Sequence, residues 1–512
     1  MTNIALSLLR DEVMDGVRDW DKEIKLILQH NDPKALRSNH NFQESKRKPD
    51  CIFMTTSTAC ALHGVPPKAE WTDAEWTDFA KKWATRKPST ENDLNWGDAL
   101  STIECKRHKP RKVDLKEDAV LEEKSFEAVL KSDHIRDVRK RKRRSDGDGM
   151  DNGNVSKSQK KKNIGSPHTS SPLTGPSHSE QKATRSAHLS QLRALPFTDW
   201  TTSVSIQSAE YALQRLCCSF DMTHTFNLIL IDTTLYISWY DHEGIITTHG
   251  FDIAKNLNYY LALLFILQRF GRSDWGRCAN SNFDTTPHSD QAVSSLFHEV
   301  KVKEKTFLVD LTEQGLVHKS WALGGRSSCL RLCQMKEGEG WSEKRYVIKF
   351  SWKEKTRKSE GDILRTIHRK ASSDGKIINS LPELITDDIY PDISTKDIRM
   401  SVGLESHPRE LVVIVLTKLD GTIKGLTGDD LWNVFWDCFR CHYLLWKLGV
   451  EHRDISTGNL MYWRDNDGHA HGVLADFDLS SLSGEPSNNK QRTGTLPYMA
   501  IELLYADKPI VH

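Results

Sequence analysis

Five hundred and twelve residues exceed what one hydrophobic core organises, so the chain reads as two or three domains. Lysine and arginine number 71 against 70 aspartates and glutamates, and the net charge of +1 excludes a globally basic nucleic-acid coat and an acidic solvating chain. The longest apolar run, Tyr259 to Leu267, is far short of a membrane span, and the acidic N-terminus lacks the flanks of a signal peptide. Ten unevenly placed cysteines form no disulfide framework, so the expected location is nuclear or cytoplasmic, intracellular and not secreted.

In chain order, residues 1–48 read as an N-terminal helical segment. Cys51 to Thr58 and Ala99 to Arg107 read as strands separated by a helix around Trp71 to Trp83. Residues 111–195 hold almost no large apolar side chain in their middle and are rich in Gly, Ser, Pro, Lys and Arg. Such a stretch cannot bury enough surface to offset its ordering entropy, so a disordered basic linker is expected, with a short helical pattern from Ala119 to Leu130. After it, Ser205 to Phe220 reads as a helix, and FNLILID, TLYISWY and GIITTHGF as strands. A helix from Ile253 to Phe270 closes the block. Residues 49–110 and 196–275 thus read as one α/β domain split by an insertion. From about Lys305, strands are expected at Phe307–Leu311, Trp321–Leu323, Cys329–Met335, Arg345–Phe350 and Leu411–Leu416, with helices at Lys358–Arg369 and Leu431–Leu448.

The last fifth carries the chemistry. His452-Arg453-Asp454 is followed five residues beyond the aspartate by Asn459, the H-R-D-x-x-x-x-N spacing of a phosphotransfer loop. There one carboxylate accepts a hydroxyl proton and an amide oxygen holds a metal. Asp476 stands at the end of an apolar strand, in Ala-Asp-Phe-Asp, where a metal-binding aspartate belongs, and Gly494-Thr495 through Glu502 matches the close of an activation segment with Ile501 in place of Pro. Upstream, Tyr-Val-Ile-Lys349 supplies a strand lysine for the α- and β-phosphates, and Glu360 at the head of a helix is its expected partner. The phosphate loop has only Gly324 and Gly325 where three glycines are usual, and the adenine-binding hinge is expected at Thr417 to Leu419.

These motifs resemble the fungal-type protein kinase family, on HRDISTGNLM, LADFDLS and RTGTLPYMAIELL, with WSEKRYVIKFSW and SEGDILRTI upstream. The resemblance implies an α+β, bilobal protein-kinase-like domain, with residues 300–418 as N-lobe and 419–512 as part of a C-lobe. It also implies ATP and Mg²⁺ as cofactors, and transfer of the γ-phosphate to a Ser/Thr hydroxyl of a protein substrate. In these roles Asp454 is the catalytic base, Lys349 and Glu360 position phosphates, Asn459 and Asp476 bind metal, and Gly324, Gly325, Lys349, Thr417 and Leu419 bind the nucleotide. Two departures stand out: Ser456 replaces the lysine common two residues after the catalytic aspartate, and Asp478 replaces the glycine of D-F-G. The sequence ends ten residues after Glu502, so the reading expects an incomplete C-lobe, impaired transfer and an alternative role as a catalytically silent interaction protein in the nucleus.

A fainter pattern lies earlier. Pro49-Asp50 opens a strand, and Glu104-Cys105-Lys106 lies in another, the P-D…(D/E)-x-K arrangement of restriction-endonuclease-like folds, with Asp98 as a further acid. The competing reading is a structural α/β domain with an edge-strand salt bridge. Cys438 and Cys441, with no second pair at zinc spacing, read as core, and the Trp-rich helix from Leu431 reads as buried core rather than a base-stacking platform, so nucleic acid is not an expected partner. Six basic residues from Arg139 to Arg144, then Lys160 to Lys162, form a bipartite pattern for a nuclear import receptor.

Overall fold

A computed structural model describes residues 2–10, 12–21, 24–31, 36, 48–66, 68, 71–82, 94–106, 199–278, 297–371, 375–483 and 495–499. The linker at 111–195, its basic runs at 139–144 and 160–162, the pattern from Ala119 to Leu130 and the segment around Glu502 lie outside the described residues.

The chain starts with α1 (Thr2–Leu9), but 1–48 is not simply helical, because β1 (Leu26–His30) follows. Leu26 and Ile27 are buried and Leu28 partly so, and the strand pairs antiparallel with β2 (Cys51–Thr55). The strand expected to reach Thr58 stops at Thr55, whose hydroxyl accepts from the Thr58 amide and caps α2 (Thr56–His63). Next come α3 (Asp73–Lys82) and β3 (Ser101–Lys106), then α4 (Asp199–Leu216), β4 (His224–Ile231) and β5 (Thr234–Asp241). The expected strand GIITTHGF is two short ones, β6 (Ile245–Thr247) and β7 (Phe251–Asp252), interrupted where Gly250 takes φ +77°. α5 (Leu257–Leu267) is shorter than anticipated, because the Asp252 carboxylate accepts from the Ala254 and Lys255 amides and forms a turn first. The strand order is β1-β2-β3-β4-β5-β6, with β7 on β5. β3 and β4 are parallel neighbours, so the segments on both sides of 107–198 share one sheet. Its core gathers Phe53, Met54, Trp96, Leu228 and Trp275.

A second sheet follows. It is built from β8 (Phe297–Val302), β9 (Lys305–Asp310), β10 (Leu316–Ser320), β11 (Ser327–Glu337), β12 (Gly340–Glu354), β13 (Leu384–Ser394) and β14 (Arg409–Thr417). The order is β13-β14-β12-β11-β9-β8, with β10 on β11. Trp321 to Leu323, expected as a strand, instead leads into the glycine turn, with the Ser327 hydroxyl bonding both the amide and the carbonyl of Ala322. Between β12 and β13, α6 (Glu360–Ala371) packs Ile363, Leu364 and Ile367 against a third core that also holds Phe477. Gly361 permits this approach, since a Cβ there would meet Asp387 Oδ2 at 2.0 Å.

The two units are locked together by the β5–β6 turn. Arg399, in α7 (Lys396–Ser401), sends its guanidinium to both Asp241 oxygens at 2.5 and 2.8 Å, and the pair is buried. Glu243 accepts from the Thr395 hydroxyl (2.5 Å) and the His407 amide (2.6 Å). The His242 ring stacks on Trp352 at 4.1 Å, and Phe220 on Phe350 at the same spacing. Burial pushes the His242 pKa down to about 3, so its ring is neutral at the interface.

Beyond β14 run β15 (Gly421–Thr422), α8 (Gly428–Lys447), β16 (Val450–Glu451), β17 (Leu460–Arg464), β18 (Ala470–Leu474) and β19 (Ser481–Leu482). The expectation that the aromatics of α8 form buried core is corrected. The buried stripe is Val434, Cys438, Cys441 and Leu445, at helical spacing. Trp432, Trp436, Phe439 and Trp446 lie on other faces and are more than half exposed. Among the described residues, no helix is long and apolar enough to cross a membrane.

Candidate active site

Lys349 lies near the middle of β12, paired to β11 and β14 on either side, so its backbone is fixed and its stem is buried. Its ammonium meets Glu360 at 2.9 Å, Asp476 at 2.7 Å and Asp478 at 2.7 Å. Burial opposes that charge, but the three carboxylates overcome it and hold the lysine pKa well above its ordinary value. Glu360 is the first residue of α6, and its second oxygen accepts from the Phe477 amide at 3.0 Å. One carboxylate thereby ties helix, strand and the Asp-Phe-Asp segment together. Burial works against the Asp476 charge, yet Lys349 and then Arg326 keep its pKa well below the usual carboxylate range. Asp476 has φ +64°, a conformation costly for a non-glycine residue and held here by its partners.

The loop after β16 is built around His452, which is fully buried. Its Nδ1 accepts from the Asp454 amide, so Nε2 carries the hydrogen and donates to the Ala475 carbonyl at 3.0 Å. Burial depresses its pKa to about 4, so it serves as a neutral brace. Asn459 donates from Nδ2 to the Asp454 carbonyl at 2.8 Å, which leaves its amide oxygen for another partner. Asp454 Oδ1 accepts from both the amide and the hydroxyl of Thr495, at 2.9 and 2.8 Å. Its Oδ2 faces Arg326 at 3.6 Å.

The structure therefore gathers Lys349, Glu360, Asp476 and Asp478 in one cluster. Arg326 bridges that cluster to Asp454, and Asn459 is bonded to the Asp454 backbone. Gly324 (φ +67°) and Gly325 form the turn that carries Arg326. A Cβ at Gly324 would lie 3.2 Å from the Glu243 carbonyl, so the turn rests on the preceding domain. Thr417 and Leu419 lie in the passage between the sheets. The Thr417 hydroxyl donates to Glu383 at 2.6 Å, and no hydrogen bond among the described residues joins either residue to Glu360, Asp454, Asp476 or Asp478. Three participants were not assigned these roles from sequence: Thr495, Asp478 as a partner of Lys349, and Arg326. The substitution at Asp478 was visible as a departure, but its direction was not.

The earlier acidic pattern is also brought together, in a closed form. Asp50 accepts from the Cys105 amide at 2.6 Å, while buried Glu104 is bonded by Tyr211 and ion-paired with Lys106. Asp98 turns away and accepts from the Asn95 amide at 2.8 Å.

The ordered Lys349–Glu360 pair, catalytic loop and Asp-Phe-Asp segment are those of a kinase centre, and comparison of the sequence agrees. A family model described as fungal protein kinase matches residues 177–409 and 409–512, well over half of the chain. The chain belongs to the fungal protein kinase family. Among curated proteins, none matches it. The family match begins at residue 177 and so takes in α4, β4 and β5 as well as the second sheet.

The kinase centre fits a divalent cation. Glu360, Asp476 and Asp478 offer oxygens within 4.8 Å of one another around Lys349, and burial pushes the Glu360 pKa up to about 7, as expected of a carboxylate short of positive charge. Arg326 Nη1 is buried with no hydrogen-bond partner among the described residues, an unsatisfied donor beside the same carboxylates.

Proposed function

We propose that this kinase uses ATP with Mg²⁺ to phosphorylate a Ser or Thr hydroxyl of a protein. The observation that carries the reading is the placement of Glu360, which bonds Lys349 and the Phe477 amide at once and so sets α6, β12 and Asp476 in one arrangement. In that arrangement Lys349 positions the α- and β-phosphates, and Asp476 with Asn459 holds the metal. Mg²⁺ held by these residues would supply positive charge against that developing on the transferred phosphate. Asp454 receives the hydroxyl proton on Oδ2, because Oδ1 is engaged twice by Thr495. Thr495 thus orients the base, and Thr457 bonded to Tyr498 at 2.7 Å holds the same segment against the catalytic loop.

Incorporation of labelled phosphate into a Ser/Thr peptide library tests the reading. Transfer should be lost on Asp454→Asn, which keeps the size of the side chain but removes the base. Equal transfer by the wild type and Asp454→Asn would refute it. A catalytically silent reading takes its support from Ser456, buried where kinases carry a lysine near the transferred phosphate. It predicts nucleotide binding without transfer.

A further inference from the structure

Two features leave this kinase centre short of positive charge. Ser456 replaces a lysine, and Asp478 adds a carboxylate that engages Lys349 at 2.7 Å. Lys349 is shared among three acids, so little of its charge remains for an incoming triphosphate. Among the described basic residues nearby, Arg326 is ion-paired with both Asp476 and Asp454. Arg326 extends from the glycine turn and sets Nη2 3.3 Å from Asp476 Oδ2 and 3.6 Å from Asp454 Oδ2. These are the metal-binding oxygen and the free oxygen of the base, and the group being transferred must pass between the metal and the base. The cavity of about 330 Å³ there is lined by Gly325, Arg326, Asp454, Asp478 and Thr495, and also by Lys353, Arg357 and Arg409, which pair with Glu410 and Glu354 instead.

The turn holds Arg326 in place. Ser327 closes it onto Ala322, and Gly324 leans on the Glu243 carbonyl, so the side chain is aimed by the packing of two domains. Its side chain is one-third exposed, and Nη1 makes no hydrogen bond among the described residues. A guanidinium presents a planar fork of donors that matches phosphate oxygens, and it stays charged at any working pH.

We propose that Arg326 contacts the terminal phosphate of the nucleotide and takes the place of the lysine absent at Ser456. This rests on the kinase reading above. Arg326 spans Asp454 and Asp476, and on nucleotide binding its fork turns to the terminal phosphate. A different role for the same contacts, a plug that merely fills the metal site, predicts the opposite sign on removal.

The test is calorimetric binding of two ligands to the full chain with Mg²⁺: ADP, and the ATP analogue with a β,γ-imido bridge. Arg326→Ala should weaken the triphosphate about tenfold or more while changing ADP by less than about threefold, because only the former carries the contacted phosphate. Arg326→Lys, which restores charge but not the fork, should recover part of the loss and guards against misfolding of the alanine variant. Equal weakening of both ligands, no change, or tighter binding by Arg326→Ala would overturn the assignment while leaving the kinase reading intact. A wild type that binds neither ligand at millimolar concentration would remove both.

Discussion

Replacing Lys349 should cost far more than replacing its helix partner, although the two form one ion pair. Lys349→Met removes the cation that separates Glu360, Asp476 and Asp478, whose oxygens lie within 4.8 Å of one another. Glu360 and Asp478 are nearly enclosed and Asp476 is about one-quarter exposed, so water screens the remaining repulsion poorly. Breaking a buried pair in this way costs on the order of 3–5 kcal/mol. Glu360→Gln leaves Lys349 with two carboxylates and keeps an oxygen for the Phe477 amide, so its cost is nearer ~1–2 kcal/mol, that of a weakened charged hydrogen bond. For a unit of this size, ~3 kcal/mol corresponds to a fall in Tm of roughly 6–12 °C. The Asp476 contribution has a definite sign with pH, while Glu360, whose pKa burial raises to about 7, contributes with the opposite sign. Asp476 is held below its unfolded value, so the stability it contributes is present above about pH 4 and lost as pH falls through its folded value. Lys349→Met lacks that contribution, so its deficit should be largest at neutral pH and narrow in acid. Millimolar Mg²⁺ should restore part of it, since a divalent cation also separates the carboxylates. Scanning fluorimetry of both variants across pH, with and without Mg²⁺, measures this. A Lys349→Met protein as stable as the wild type, or a larger loss for Glu360→Gln, would refute the charge argument.

Asp476→Ala should lower Mg²⁺-dependent nucleotide affinity more than Asp454→Ala, because Asp454 contributes its free oxygen to the hydroxyl rather than to the metal; titration calorimetry with and without Mg²⁺ decides this. Three histidines are buried neutral: His224 and His452 with pKa pushed down to about 4, and His242 to about 3, each mainly by burial. Each contributes stability that is complete above about pH 6.5 and falls by about 1.4 kcal/mol per unit below it, until its folded pKa is reached. Equal Tm at pH 7 and pH 5 would contradict that.

What was legible in the sequence follows from how local the determining forces are. The His452-Arg453-Asp454 loop and Asp-Phe-Asp lie within a few tens of residues of each other, and short-range geometry there demands particular side chains, so their spacing singled out Asp454, Asn459 and Asp476 as candidates. The Lys349–Glu360 pair is eleven residues apart, joined by one strand end and one helix start. Arg326 reaches Asp476 across 150 residues, and no periodicity encodes that contact. β1 is a five-residue strand whose partner supplies most of the reason to be extended. The aromatics of α8 show why helical spacing alone misleads: they recur at core-like intervals, but the side that packs is set by the smaller Val434, Cys438 and Cys441.

The sequence suggested two separable units, but the packing argues that they fold together. Phe220 belongs to the core of the second sheet, where it stacks on Phe350, and Cys278 joins the same cluster. Arg399 and Asp241 are both nearly inaccessible, so separating the units leaves a bare guanidinium on one and a bare carboxylate on the other. A fragment of residues 297–512 would also uncover Phe350 and Trp352, each worth about 2 kcal/mol of burial. It would withdraw the Glu243 carbonyl on which Gly324 rests. Such a fragment should therefore be less soluble than the full chain and should bind nucleotide more weakly, because its glycine turn and Arg326 are no longer aimed. Arg399→Ala in the full chain should reproduce a milder form, with a lower Tm and faster cleavage by protease near the β5–β6 turn, while Arg399→Lys recovers only part, a point charge being unable to span both Asp241 oxygens. A monomeric, soluble 297–512 fragment with the nucleotide affinity of the whole protein would show that the docked domain plays no part in shaping the site.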